Sequence, residues 1–293
     1  MDLSKPQARI EYFDGGRLRG AAEFVELLRA NNLNTFEQIM AYGGGQMKRS
    51  VPGRSTVRIE LNAPGGNKAV VFLKRYERDY LPPVRKLLRF LHWPGADDEA
   101  MREWNAIAEL RRHGFNTPTP IAVGQEKVAG SVVRSFLLTA NIEGGIAAHN
   151  YVHKLTARPR RALAEEIARL TRRFLDAGFA HRDYYLSHIF VVESKTGQRE
   201  LFLIDLQRVF QLRYLRRRWM VKDLASLGYT AQLAHATRSD LLSFYKVCFG
   251  VKRLAPSDKS LIREIMVRVQ ALHSRGPRYD VIWDKPGERP PNV

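Results

Sequence analysis

The run His181-Arg182-Asp183, followed five residues later by His188 and then by the apolar stretch Ile189–Val192, constrains this chain more than any other feature. A polar turn at Glu193–Arg199 leads to a second short apolar stretch, Leu201–Ile204, which ends on Asp205, 22 residues after Asp183. Two short strands about a turn predict a hairpin, and a hairpin here would carry both carboxylates toward one end of a small sheet. Paired acids at strand ends can serve as proton acceptor and metal ligand, because Mg2+ prefers carboxylate oxygen and keeps waters beside substrate phosphates. A His-Arg-Asp tripeptide by itself is equally what a solvated turn looks like, so the neighbouring sequence has to decide.

Upstream the chain reads as a sheet with one helix. Phe24, Leu27 and Leu28 at helical spacing predict a short leading helix within residues 1–35. Phe36–Tyr42, the glycine run Gly43-Gly44-Gly45 and the alternating Ser55–Leu61 read as strand, loop and strand. After the turn signal Pro64-Gly65-Gly66-Asn67, a third strand, Ala69–Leu73, runs straight into Lys74. Asp97–Arg112 has acids in its first turn, arginines in its last and Gly114 beyond, which are helix start and stop signals. Ile121–Val123 and Val132–Thr139 read as two more strands. Downstream of Gly144-Gly145 the texture turns helical, with Leu163, Ile167, Leu170 and Phe174 on one stripe closed by Gly178, and a later stripe of Leu261, Ile265, Val269 and Leu272. The end, 274–293, is rich in proline and charge and reads as an irregular tail.

Charge narrows the partner. The 293 residues hold 48 Lys plus Arg against 30 Asp plus Glu, a net +18, so some partner is anionic; nucleic acid, an anionic membrane face and phosphorylated substrates all fit. The single cysteine, Cys248, excludes an intrachain disulfide framework and a cysteine zinc site and predicts one buried thiol. No apolar run approaches the roughly 18 residues of a membrane span and the polar start lacks a signal-peptide core, so a cytoplasmic protein is expected. His149 and His153 stand four apart without the glutamate of a zinc-protease helix, which reads as a solvated helix face.

A glycine-rich hairpin, a lysine ending the third strand, a helix with an inward glutamate, a His-Arg-Asp loop and an Ile-Asp-Leu strand end occur in protein-kinase order. The residues His181-Arg182-Asp183-Tyr184-Tyr185-Leu186-Ser187-His188, Leu203-Ile204-Asp205-Leu206-Gln207-Arg208, and Arg218-Trp219 with Lys222-Asp223-Leu224 carry a closer likeness. Arg54-Ser55-Thr56-Val57-Arg58, Phe72-Leu73-Lys74 and Glu103-Trp104-Asn105-Ala106-Ile107 add to it. Over about residues 36–245 the chain resembles the lipopolysaccharide core heptose kinases and their relatives with a protein-kinase-like fold, in which the position five after the catalytic Asp looks like His, as at His188.

The resemblance implies roles. Lys74 would neutralise the nucleotide α and β phosphates and be held by a helix glutamate. Glu103 is the candidate because it shares a face with Ile107 and Leu110; Glu99 shares that face and stands second. Asp183 would accept or orient the proton of the attacking sugar hydroxyl, and Asp205 would hold Mg2+. His188 would either ligate metal or hydrogen-bond the loop, Arg182 would organise the loop, and Asp223 would brace it from the following helix. Gly43, Gly44 and Gly45 would let backbone amides approach phosphates or simply make a turn. Leu206-Gln207 in place of the kinase Phe-Gly argues against a flipping activation switch. The basic run Arg213–Arg218 with Tyr214 and Trp219 suits nucleic acid and phosphorylated glycolipid equally, or is simply a solvated face, and Arg85–Arg89 with Trp93 suits a membrane interface.

The expectation is therefore an α+β, protein-kinase-like two-lobed fold: an extension with a short helix over 1–35, an antiparallel sheet lobe over 36–141, a helical lobe over 142–273, and the tail. The expected activity is transfer from ATP, with Mg2+, to an inner-core lipopolysaccharide sugar, a heptose, by an enzyme acting on the core or its lipid-linked precursor, at the anionic inner-membrane face of a Gram-negative bacterium and without nucleic acid. Two alternatives stand beside it: the same fold with a protein or small-sugar acceptor, and a non-catalytic kinase-like module binding anionic membrane or nucleic acid.

Overall fold

The structure, a computed structural model, describes residues 9–63, 66–77, 98–128 and 131–275. The readings for Arg85–Arg89 with Trp93, and for the tail past residue 275, lie outside the described residues. The chain divides into two compact units. Unit 1 runs to Glu143 and takes in Phe202–Arg208; unit 2 comprises Gly144–Leu201 and resumes at Val209.

Unit 1 is built on a seven-stranded antiparallel sheet. Its strands are β1 (Ile10–Phe13), β2 (Leu18–Ala21), β3 (Gln46–Val51), β4 (Arg54–Asn62), β5 (Lys68–Glu77), β6 (Pro120–Val128) and β7 (Ser131–Ala140), in the order β1-β2-β6-β7-β5-β4-β3. Among the described residues the helices that accompany them are α1 (Val25–Ala30), α2 (Phe36–Met40) and α3 (Glu99–Arg112). Along β4, Val57, Ile59 and Leu61 are buried while their neighbours are not, the period-2 pattern of a strand with one covered face. They pack with Leu18, Phe36, Ile39, Val71, Leu73, Ile121 and Phe136 in one core. The helix α3 starts on Asp98, whose side chain accepts from the Met101 N–H at 2.9 Å, and ends on Arg111 and Arg112 before Gly114 at φ 74°.

Two expectations are corrected here. Phe36–Tyr42 is not a strand: Thr35 and Gln38 form a reciprocal capping box, and Phe36, Ile39 and Met40 then fall on one buried helical face, so Phe36–Met40 is α2. Gly43, Gly44 and Gly45 consequently do not close the hairpin. They lead into β3, and the hairpin between β3 and β4 closes at Val51-Pro52-Gly53-Arg54. Gly53 is required there: its φ is 73°, and a Cβ would stand 2.6 Å from the Glu77 carbonyl oxygen. In addition, residues 10–21, expected only to precede a helix, add the β1–β2 hairpin to the sheet edge.

Unit 2 is helical. Its helices are α4 (Ala148–Val152), α5 (Ala157–Asp176), α6 (Arg217–Leu233), α7 (Arg238–Phe249) and α8 (Pro256–Ser274), with short strands β8 (Ile146–Ala147), β9 (Phe179–Ala180), β10 (Ile189–Glu193), β12 (Phe210–Gln211) and β11 (Arg199–Leu203), whose last two residues belong to unit 1. The expected strand pair about Glu193–Arg199 is present as β10 and β11, in a sheet of order β11-β10-β8. The stripe Leu163, Ile167, Leu170 and Phe174 of α5 is buried, and α5 packs on α7 as α6 does on α8. Cys248 is buried, and burial pushes its thiol up to about 12. The helices α5, α6, α7 and α8 also line a half-open cavity of about 640 Å3, walled by apolar side chains such as Leu163, Ile167, Leu227, Leu241 and Met266. Among the described residues no helix is long and apolar enough to cross a membrane.

Candidate active site

In unit 1 the chemistry gathers on β5 and α3. Because β5 alternates, Val71 and Leu73 enter the core and Lys74 and Tyr76 share the other face. Lys74 Nζ donates to Glu103 Oε1 at 2.6 Å, and the Glu103 side chain is 2% exposed. Glu99, the second candidate, is 29% exposed and lies 3.9 Å from Arg102, so Glu103 is the acid that meets the lysine. A buried carboxylate needs several donors to offset its lost hydration. Glu103 finds them in Lys74, in the Leu206 N–H at 3.3 Å and in the Tyr76 hydroxyl at 3.5 Å.

The Leu206 N–H belongs to the residue after Asp205, so one carboxylate ties the lysine to the loop that carries the second acid. Asp205 itself has φ 56°, a left-handed conformation that costs a non-glycine residue about 1–2 kcal/mol. Its Oδ1 lies 3.3 Å from Arg54 Nη2 and 3.8 Å from Lys74 Nζ. Leu206 is fully buried, and Gln207 Oε1 accepts from the Tyr76 hydroxyl at 3.1 Å. Burial, with the Glu103 charge adding to it, pushes the Tyr76 phenol well above its ordinary range, so it remains a donor. These contacts, with the Asn116–Phe202 bridge, join Phe202–Arg208 to unit 1, although the sequence reading grouped Asp205 with the helical lobe. Sequence reasoning gave no role to Arg54, Tyr76 or Gln207, whose partners stand more than a hundred positions away or two strands across.

In unit 2 the loop 181–188 is pinned by α6. The Asp223 side chain, 1% exposed, accepts from the His181 N–H at 2.7 Å and the Arg182 N–H at 2.8 Å. Arg182 has φ 73°, its carbonyl accepts from Lys222 Nζ, and its guanidinium lies 5.4 Å over the Trp219 ring. Burial pushes the Asp223 carboxyl up to about 7, against the two N–H groups that pull it down. The Leu186 N–H donates to Thr230 Oγ1, and Tyr184 meets Thr171 and stacks on Phe174. His188 is buried, with Nδ1 2.8 Å from the Asp183 carbonyl oxygen. A carbonyl only accepts, so Nδ1 carries the proton and the lone pair of a neutral ring sits on Nε2. Asp183, by contrast, is partly exposed. His149 is buried rather than solvated, and burial pushes it down to about 4, so it is neutral at pH 7.

Among the described residues no three His, Cys, Asp or Glu side chains form a metal-binding group. One carboxylate beside cationic side chains suits Mg2+ that arrives with a polyphosphate and keeps its waters, and does not suit a cage of protein ligands.

The chain is similar to known proteins over most of its length. The model of the lipopolysaccharide kinase (Kdo/WaaP) family matches residues 44–247. The lipopolysaccharide core heptose(I) kinase WaaP of Escherichia coli (strain K12) is 28% identical over 272 residues, which is 89% of this chain and 94% of the relative. The protein of the same name from Pseudomonas aeruginosa (strain PAO1) is 27% identical over 259 residues, 85% of this chain and 94% of the relative. A solved structure described as WaaP in complex with acyl carrier protein has a TM-score of 0.64 and 24% identity, covering 90% of this chain and 98% of that one, in keeping with the α+β, protein-kinase-like fold. The chain belongs to the lipopolysaccharide kinase (Kdo/WaaP) family and is a phosphotransferase.

Proposed function

We propose that this protein transfers the γ-phosphoryl group of ATP, with Mg2+, to a hydroxyl of a heptose in the lipopolysaccharide inner core. The observation that carries the reading is the Glu103 carboxylate, which binds Lys74 at 2.6 Å and the backbone N–H next to Asp205. That arrangement sets a phosphate-binding cation and a metal-binding acid in fixed relation, which is what phosphoryl transfer requires of a protein. The heptose acceptor is supported by the activity named for the relatives, and an anionic acceptor by the +18 charge and by the run Arg213–Arg218, where Tyr214 is exposed.

In this reading Lys74 holds the α and β phosphates, Glu103 fixes Lys74, and Asp205 is the Mg2+ carboxylate. Glycine backbone for the phosphates is offered by the hairpin turn at Gly53 in place of Gly43, Gly44 and Gly45. Bound Mg2+ would neutralise charge on the phosphoryl group in flight. Asp183 takes the proton of the acceptor hydroxyl. His188 and Asp223 hold the backbone on either side of it, Arg182 anchors the loop on Trp219, and Nε2 is the ring nitrogen of His188 that a metal would use.

The test is transfer of labelled γ-phosphate to dephosphorylated core oligosaccharide by wild type and by Asp183→Asn. Transfer by wild type, reduced at least about a hundredfold in the variant while ATP binding persists, is the expected result. ATP binding with no labelled oligosaccharide would reject the heptose acceptor in favour of another. Full cellular function of Asp183→Asn would reject the enzyme reading in favour of a binding module. The apolar cavity of unit 2 further supports a lipid-linked partner, because a volume of about 640 Å3 admits an alkyl chain.

A further inference from the structure

Arg54 is the first residue of β4, directly after the hairpin turn, and pairs in register with Tyr76 on β5. Its guanidinium lies 5.4 Å from the Tyr76 ring centre, its side chain is 18% exposed, and its Nη2 bonds Asp205 Oδ1 at 3.3 Å, near the long limit for such a bond. Arg54 Nε is buried and has no acceptor among the described residues. Lys74 has Glu103 as its own partner at 2.6 Å and reaches the same Asp205 oxygen only at 3.8 Å. Two cations thus converge on one carboxylate oxygen, and of the two Arg54 carries a donor that no acceptor among the described residues uses.

The charges point to what is missing. Arg54, Lys74, Glu103 and Asp205 sum to zero. Once Asp205 serves a divalent cation, Arg54 keeps its charge and its planar fork of donors but loses the carboxylate that its guanidinium bonds. A phosphate restores both, since guanidinium and phosphate match in shape and charge. The position is also the one from which a strand-to-strand hairpin addresses phosphates, where kinases with a glycine-rich loop use backbone amides.

We propose that Arg54 is a nucleotide-phosphate ligand, supplying by side chain the phosphate contact that the hairpin's single glycine, Gly53, cannot supply alone. The assignment rests on the ATP reading above and deepens it. The rival role is a purely structural one, in which Arg54 only staples the Asp205 loop to β4.

The two are separated by equilibrium binding of ATP, ADP and adenosine to wild type, Arg54→Met and Arg54→Lys with Mg2+ present. A phosphate ligand predicts that Arg54→Met weakens ATP by about tenfold or more, ADP by less and adenosine by under about twofold, with Arg54→Lys between wild type and Arg54→Met. Equal weakening of all three, or none, overturns the proposal. Should Arg54→Met fail to fold, phenylglyoxal labelling of the wild-type chain, mapped by peptide mass, gives the same decision. ATP must protect Arg54 and adenosine must not; equal labelling with and without ATP overturns the proposal. Wild type that binds no ATP at all would reject the nucleotide reading itself, whereas wild-type binding with an unaltered Arg54→Met would reject only the role of Arg54.

Discussion

Replacing Asp223 by asparagine should change how stability depends on pH. The Asp223 carboxyl is pushed by burial from an ordinary 3.8 up to about 7. A group that holds its proton more tightly folded than unfolded contributes most below its unfolded value, and the contribution is lost as pH rises through the folded one. The loss therefore runs from about pH 4 to about pH 7 and then levels. At 1.36 kcal/mol per pH unit, the gap amounts to about 4 kcal/mol. Asparagine does not titrate. It keeps one acceptor for the His181 and Arg182 N–H groups and turns an NH2 toward the other, a pH-independent cost of about 1–3 kcal/mol for an unsatisfied buried donor. Urea unfolding of both proteins at half-unit steps from pH 5 to pH 8 measures the difference, and every other titrating group cancels. Wild type should be the more stable protein at pH 5, and its advantage should shrink by about 2–3 kcal/mol or more by pH 8. A difference constant within about 1 kcal/mol across that window would mean that the two short N–H bonds outweigh burial and that Asp223 stays ionised throughout, and the reasoning would fail.

Two further outcomes are expected. Glu103→Gln leaves the Lys74 ammonium facing an amide with only Asp205, at 3.8 Å, as a carboxylate, and should destabilise the protein by about 3 kcal/mol in urea unfolding, the lower end for breaking a buried pair because Lys74 is 15% exposed. Adding Lys74→Met should recover part of that loss, and a Glu103→Gln protein as stable as wild type would contradict the pairing. Ala231→Phe should fill part of the cavity in unit 2, abolishing uptake of a fluorescent fatty acid while the unfolding midpoint holds or rises. Uptake unchanged by the substitution would place the alkyl site elsewhere.

What the sequence revealed follows from the range of the interactions involved. The helix α3 was legible because its signals are local: Asp98 and Glu99 at one end, Arg111, Arg112 and Gly114 at the other. The Lys74–Glu103 pair was legible because Lys74 closes a short apolar strand and Glu103 stands one and two helical turns before Ile107 and Leu110. The helix α2 was misread since five residues are too few for a period to declare itself, and Thr35, whose capping box with Gln38 settles the matter, stands just before the stretch read as a strand. The strand β3 was invisible for the opposite reason. Gln46–Val51 is an exposed edge strand, and its lysine, arginine and glutamine are the residues that protect such an edge from pairing while erasing the alternation that marks a strand. Arg54 and Asp205 are 151 positions apart, and Tyr76 and Gln207 are 131 apart, so no local pattern could join them.

The two functional loops are held by one device used twice. In unit 1 the residue forced into the left-handed region is Asp205, and the carboxylate that secures it is Glu103, buried on α3 and bonded to the next N–H. In unit 2 the left-handed residue is Arg182, and the carboxylate is Asp223, buried on α6 and bonded to the N–H groups of Arg182 and the residue before it. Each strained residue costs about 1–2 kcal/mol; the Leu206 N–H bond to Glu103 returns about 1.5–3 kcal/mol, and the two N–H bonds to Asp223, whose carboxyl burial pushes up to about 7, return about 0.5–1.5 kcal/mol each. The strain therefore persists only while a buried acid from a rigid helix holds it. Neither acid needs to touch a substrate, yet each fixes the backbone from which Asp205 or Asp183 projects. Burial explains the choice of residue as well: a carboxyl group offers two oxygens to the donors around it, and an amide of the same size turns one of those positions into a donor. Loss of either acid should therefore reduce phosphoryl transfer through the geometry of its loop, in proportion to how far the left-handed residue relaxes.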